Sequence, residues 1–139
     1  MASGRRKAEA RVQRRKIEFP PLVLYDEDLG CLVRLDGWQM EIKRPRERKT
    51  LEAFGLNLSY SPISLEPRWL PVKRYDCKHH YVEKHEYWRS PKPQRIPEWE
   101  GKPLSEVLTL AREDLMTNYA HYVRLVRQAR LKRGRRGQR

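Results

Sequence analysis

The apolar residues of "CLVRLDGWQMEIK", residues 31–43, alternate with polar ones in two runs. Cys31, Val33 and Leu35 alternate with Leu32 and Arg34. After Asp36-Gly37, Trp38, Met40 and Ile42 alternate with Gln39, Glu41 and Lys43. A period of two belongs to a strand with one buried face. Asp-Gly is favoured in two-residue type I′ turns, because both central positions need positive φ. The pattern predicts a β-hairpin turning at Asp36-Gly37, with Trp38 either in the core, the favoured reading, or in contact with a partner. A lone hairpin is marginal in water and needs a third strand or an outside surface. "LVLY", residues 22–25, is the candidate strand, and "DEDLG", residues 26–30, reads as a turn.

On either side the pattern changes. Residues 5–16 predict a short, weakly amphipathic helix ended by Pro20 and Pro21. "RPRERKT", residues 44–50, is a basic exit from the hairpin. Prolines at 62, 67, 71, 91, 93, 97 and 103 then interleave with Tyr60, Trp69, Tyr75, Tyr81, Tyr87, Trp88 and Trp99. Proline removes ladder donors and blocks helices, so this stretch reads as an extended segment laid over another surface. Trp69, Tyr87, Trp88 and Trp99 divide between packing and partner contact. After Pro103, Leu104, Leu108, Ala111, Leu115, Tyr122, Leu125 and Ala129 step by four and three, with Asn118 at the one polar position. That spacing predicts a long helix with one apolar face, ~45 Å at about 1.5 Å per residue, stopped by Gly134 and Gly137.

The expected organisation is thus α+β. It comprises a basic arm (1–16), a small β unit with the hairpin (17–58), an extended Pro/aromatic segment (59–102), a long helix (103–133) and a basic tail (134–139). No run of about 18 apolar residues is present, so no membrane span is expected.

Charge sharpens this picture. The 139 residues carry 31 Lys and Arg against 18 Asp and Glu, a net +13. Arg5, Arg6, Lys7, Arg11, Arg14, Arg15 and Lys16 face only Glu9 in the first 16 residues. Arg124, Arg127, Arg130, Lys132, Arg133, Arg135, Arg136 and Arg139 face no acid at all. Almost all the net charge sits at the two ends, and the body between them is nearly neutral. Charges packed this densely repel unless a polyanion neutralises them. Arginine's planar fork suits phosphate oxygens and stacks on bases. These residues, except Arg139, are the candidate RNA-binding set. The Arg-rich, acid-poor N-terminus also has the composition of a mitochondrial targeting segment, although a nucleic-acid-binding arm explains the same residues.

Little points to catalysis. Cys77, His79, His80 and His85 are zinc-ligand types, but one Cys and a single suitable His pair do not make a four-ligand set. Cys77 with His79 lacks an orienting third group. No Gly-rich phosphate loop or Gly-x-Ser-x-Gly occurs, so no enzyme, small-molecule substrate or cofactor is expected. Two cysteines are too few for a disulfide scaffold and suit a reducing compartment.

Basic ends around a small neutral body and a proline-rich middle resemble the organelle-specific proteins of mitochondrial ribosomes. "LVRLDGWQMEIKRPRERKTLEAFGLNL", residues 32–58, resembles the hairpin segment of one such family, the fifty-fifth protein of the animal mitochondrial large ribosomal subunit. The shared features are an apolar pair, Asp36-Gly37, Ile42 before a basic residue, Arg48-Lys49 and the closing Leu56-Asn57-Leu58. The resemblance implies a structural constituent of that ribosome in the mitochondrial matrix, partnered by rRNA and other ribosomal proteins. The alternatives are an accessory subunit of a mitochondrial membrane complex, and a nuclear or cytosolic RNA- or DNA-binding protein.

Overall fold

The computed structural model describes residues 11–78 and 81–137. Arg5, Arg6, Lys7, His79, His80 and Arg139, all singled out from sequence, lie outside the described residues. The fold is α+β: a six-stranded antiparallel sheet in the order β1-β2-β3-β4-β5-β6, with one long helix across it. The strands are β1 (Gln13–Asp26), β2 (Cys31–Lys43), β3 (Thr50–Ser61), β4 (Leu70–Lys78), β5 (Tyr81–Glu86) and β6 (Gln94–Arg95). A 3₁₀ turn, Pro97–Trp99, leads to helix α1 (Leu104–Gly137).

Asp36-Gly37 is not a turn. β2 runs straight through it, with Gly37 opposite Phe19 of β1 and Leu56 of β3. The two apolar runs differ in phase by one residue, so an unbroken strand sends them to opposite faces. Cys31, Val33 and Leu35 face the helix, whereas Trp38, Met40 and Ile42 face away. Gly37 is required for close approach. A Cβ there would lie 2.3 Å from the Gly55 carbonyl oxygen and 2.8 Å from Leu56 Cδ2. The reversal before β2 is the expected one, at residues 26–30. Gly30 takes φ +65° and donates to the Asp26 carbonyl at 2.8 Å.

Three of the prolines are accommodated within strands. Pro20 and Pro21 fall inside β1, where the register shifts between Phe19 and Leu22, and Pro71 lies beside a similar shift between β3 and β4. β1 is an edge strand, and a register shift spares it the donors that proline lacks. Residues 13–16 are therefore strand, not helix. The stretch expected to be extended holds β4, β5 and β6.

The core lies between the sheet and α1. Phe54, Val72, Cys77, Val107, Ala111 and Val123 are fully buried, joined by Leu56, Leu115 and Cys31. The buried stripe of α1 follows Val107, Leu108, Ala111, Leu115, Val123 and Val126. The expected face holds as far as Leu115 and then drifts, leaving Asn118 exposed. A strict four-three alternation averages 3.5 residues and falls behind a helix of about 3.6 per turn. Gly134 does not stop α1, which continues to Gly137. A single helical glycine costs only about 1 kcal/mol. Trp88 stacks on Tyr122 with centroids 5.2 Å apart, and Trp99 lies 5.4 Å from Tyr75. With Tyr87 they pack on the core, so the ambiguity left by the sequence resolves to packing for these three.

Candidate nucleic-acid interface

Among the described residues, the sheet face away from α1 carries no helix, although Ile42 and Ala53 on it are buried. Register assigns its residues in lateral rows. One row runs Trp38, Gly55, Asp76, Glu83 and Arg95; a second runs Met40, Ala53, Lys78 and Tyr81; a third runs Asp36, Asn57, Arg74 and His85. Trp38 is therefore not a core residue. Its indole lies over Gly55, where a Cβ would meet Nε1 at 2.7 Å and Cε2 at 3.0 Å. Lys16 Nζ sits 5.3 Å from the Trp38 ring centre, and the Arg95 guanidinium 4.2 Å from that of Tyr81. Between these pairs opens a groove of about 790 Å³, lined by Trp38, Arg74, Asp76, Lys78, Tyr81, Glu83 and Arg95. Arg74 holds Asp76 through contacts of 2.7 and 3.0 Å. No ion pair or side-chain hydrogen bond occupies Glu83 among the described residues.

The basic residues gather at two ends. At one, the pairing of Gln13 with Lys43 sets Arg11, Arg14 and Arg15 beside the basic loop Arg44–Lys49. Arg11 and Arg15 are exposed, and Arg14 pairs with Glu52 at 3.2 Å. The sequence showed that loop as basic but could not show that it joins the arm. At the other end is the C-terminal half of α1. Here the expected set divides. Arg127 donates to the Leu29 carbonyl at 2.8 Å and stacks 5.5 Å from the Tyr60 ring, so it pins the helix to the sheet. Arg124, Arg130, Lys132, Arg133 and Arg135 are exposed. Arg133 reaches the Tyr87 carbonyl only at 3.5 Å. Arg136 lies in the helical backbone. Arg127, Arg130 and Arg135 line a recess of about 470 Å³ with Tyr60, Pro62, Leu131 and Gly134. Roughly 40 Å of strand, at about 3.3 Å per residue, separates Arg14 from Asp26 near Arg127.

Under α1 lies a buried ionic cluster that sequence reasoning missed. Lys73, 4% exposed, sits 3.0 Å from Asp114 Oδ2 and 3.8 Å from Glu86 Oε2. The hydroxyls of Tyr75 and Tyr122 donate to Asp114 at 2.5 Å each, and Asn118 Nδ2 donates at 2.8 Å. Burial pushes the Asp114 carboxyl up, but hydrogen bonds from Tyr122, Tyr75, Lys73 and Asn118 outweigh it and hold it below its ordinary value. Burial lowers Lys73, opposed by Asp114 and Glu86. Burial and the bond to Asp114 push both tyrosines above their ordinary range. With four donors on two oxygens, Asp114 has no lone pair left for a substrate, and the arrangement holds the helix in place. The signal that could have found it is Asp114 itself, four residues from Asn118 and eight from Tyr122 on one helix face.

The Cys/His group separates. Cys77 is fully buried, and burial pushes its thiol up to about 11. His85, on the open face, stacks on Tyr87 at 3.9 Å. Among the described residues, no cluster of three or more metal-ligand types occurs, and no helix is long and apolar enough to cross a membrane. No protein-family model matches the chain, and no curated protein or solved structure matches it.

Proposed function

We propose that this protein binds RNA and acts as a structural constituent of a ribonucleoprotein particle, with the mitochondrial ribosome as the assembly that its charge distribution suits. The observation that carries this reading is the end of α1. No acid follows Asp114, and residues 130–135 are all exposed and include four cations. An exposed cationic helix end of this kind neutralises phosphates and releases counterions. Arg11, Arg14 and Arg15 at the start of β1 and the Arg44–Lys49 loop supply a second contact at the far end of the sheet. The body between them is a rigid spacer. The ribosomal part of the reading rests on charge, because the likeness of residues 32–58 assumed a hairpin that β2 does not form.

Two measurements test it. RNA affinity should fall steeply with salt: about ten phosphate contacts would cost roughly 10³–10⁵ between 50 and 200 mM. A tagged copy should sediment with ribosomal particles in a gradient and be released by RNase. A tagged copy found only with free protein at low salt would end the ribosomal reading, and salt-insensitive affinity would end the RNA reading.

A further inference from the structure

We propose that the groove on the open sheet face holds an unpaired guanine of single-stranded RNA, stacked against Trp38 and Tyr81 and read by Glu83. This rests on the RNA-binding reading and assigns it a base-specific site distinct from the basic ends.

Stacking surfaces come first. Trp38 lies over Gly55 on the floor, and Tyr81, 49% exposed, stands two strands further along. Trp38's footprint on β3 and Tyr81 on β5 lie two strand spacings apart at the backbone, roughly 10 Å. Each ring is partnered by a cation, Lys16 or Arg95, and Arg95 is also held by Glu100 at 2.8 Å. An incoming base takes over the Trp38 ring and frees Lys16 for a phosphate, while Arg95 stays anchored beside Tyr81. Proteins that bind single strands combine aromatic stacking with a cationic track in this way.

The groove also carries acceptors. Asp76 is engaged by Arg74, whereas Glu83, half-buried beside it, is unengaged among the described residues. A carboxylate offers two adjacent acceptors and no donor. Guanine is the one RNA base whose Watson–Crick edge presents two adjacent donors, N1–H and the N2 amine. Adenine, cytosine and uracil each set a donor beside an acceptor, which would repel the second carboxylate oxygen. Lys78 at the rim, with the displaced Lys16, faces the flanking phosphates.

The test uses the full chain and fluorescence anisotropy with uridine nonamers that differ only in the central base, at about 100 mM salt. A central guanosine should bind about tenfold tighter than a central adenosine, with inosine, which lacks the N2 amine, in between. Glu83→Gln should abolish the preference. Tyr81→Ala and Trp38→Ala should weaken the guanosine nonamer about tenfold while leaving the salt slope unchanged. Tyr81 is exposed, so its variant answers independently of any folding defect in Trp38→Ala. Equal affinity for guanosine and adenosine, or a preference that survives Glu83→Gln, overturns the proposal. If the wild type binds structured RNA through α1 but shows no base preference, the groove assignment falls and the RNA reading stands. If no RNA binds even at low salt, both fall.

Discussion

Asp114→Ala is the most informative single change. It removes the carboxylate that accepts from Lys73, Tyr75, Tyr122 and Asn118. Lys73 would be left almost fully buried, with Glu86 at 3.8 Å as its remaining counter-charge. Breaking a buried pair by deleting one partner costs about 3–5 kcal/mol, because the other charge is stranded. For a chain of this size about 3 °C of melting temperature accompanies each kcal/mol, so a loss of about 10–15 °C is expected. Replacing both members, Lys73→Met with Asp114→Leu, should recover part of that loss, since no unpaired cation remains from the pair. Urea denaturation of wild type, Lys73→Met, Asp114→Leu and their double gives the coupling. Additive effects, or an Asp114→Ala cost below about 1 kcal/mol, would show that the cluster is not a coupled unit.

The remaining expectations are shorter. Because Asp114 titrates below its ordinary value, its stabilisation is complete above the unfolded carboxylate pKa of about 3.9 and is lost as pH falls through the folded value. The stability gap between wild type and Asp114→Asn should therefore narrow in urea melts below about pH 4 and stay constant above it. Gly37→Ala should destabilise by about 1–3 kcal/mol or more, since its Cβ meets a backbone oxygen that cannot swing away; an unchanged denaturation midpoint would contradict the straight β2. Changing Arg130, Lys132, Arg133, Arg135 and Arg136 to Ala should lower the slope of log affinity against log salt by about 4 and leave the circular dichroism unaltered. Cys77 should react with a thiol reagent near pH 8 only on unfolding, as its burial and raised pKa require; rapid labelling of the native chain would contradict its placement.

The parts legible in the sequence were those with one dominant local signal. Pro103 and the four-three spacing located α1, and "DEDLG" with Gly30 located the turn between β1 and β2. What misled was a local signal overruled by its neighbours. Asp36-Gly37 suits a tight turn, yet pairing on both sides of β2, with Leu56 across from Gly37, holds it extended. A phase slip in apolar alternation has two physical causes, a reversal of the chain or a change of face, and a single strand cannot distinguish them. The prolines likewise read as breaks because register shifts are invisible until partner strands are known. The groove was illegible for a related reason. Trp38, Gly55, Asp76 and Glu83 are 17, 21 and 7 residues apart in the chain and become neighbours only through the register of four strands.

The Lys73–Asp114 cluster also matters at a distance. Helix α1 is held at Asp114 and again at Arg127, and its working end is the arginine cluster beyond. Arg135 lies eight residues past Arg127, ~12 Å at about 1.5 Å per residue, so a tilt of about 5° there would swing it by ~1 Å. Greasy contacts alone tolerate small rolls of a helix, whereas a carboxylate gripped by four directional donors does not. The precision with which this molecule can aim its cations is therefore set inside the core, far from any anion they would meet.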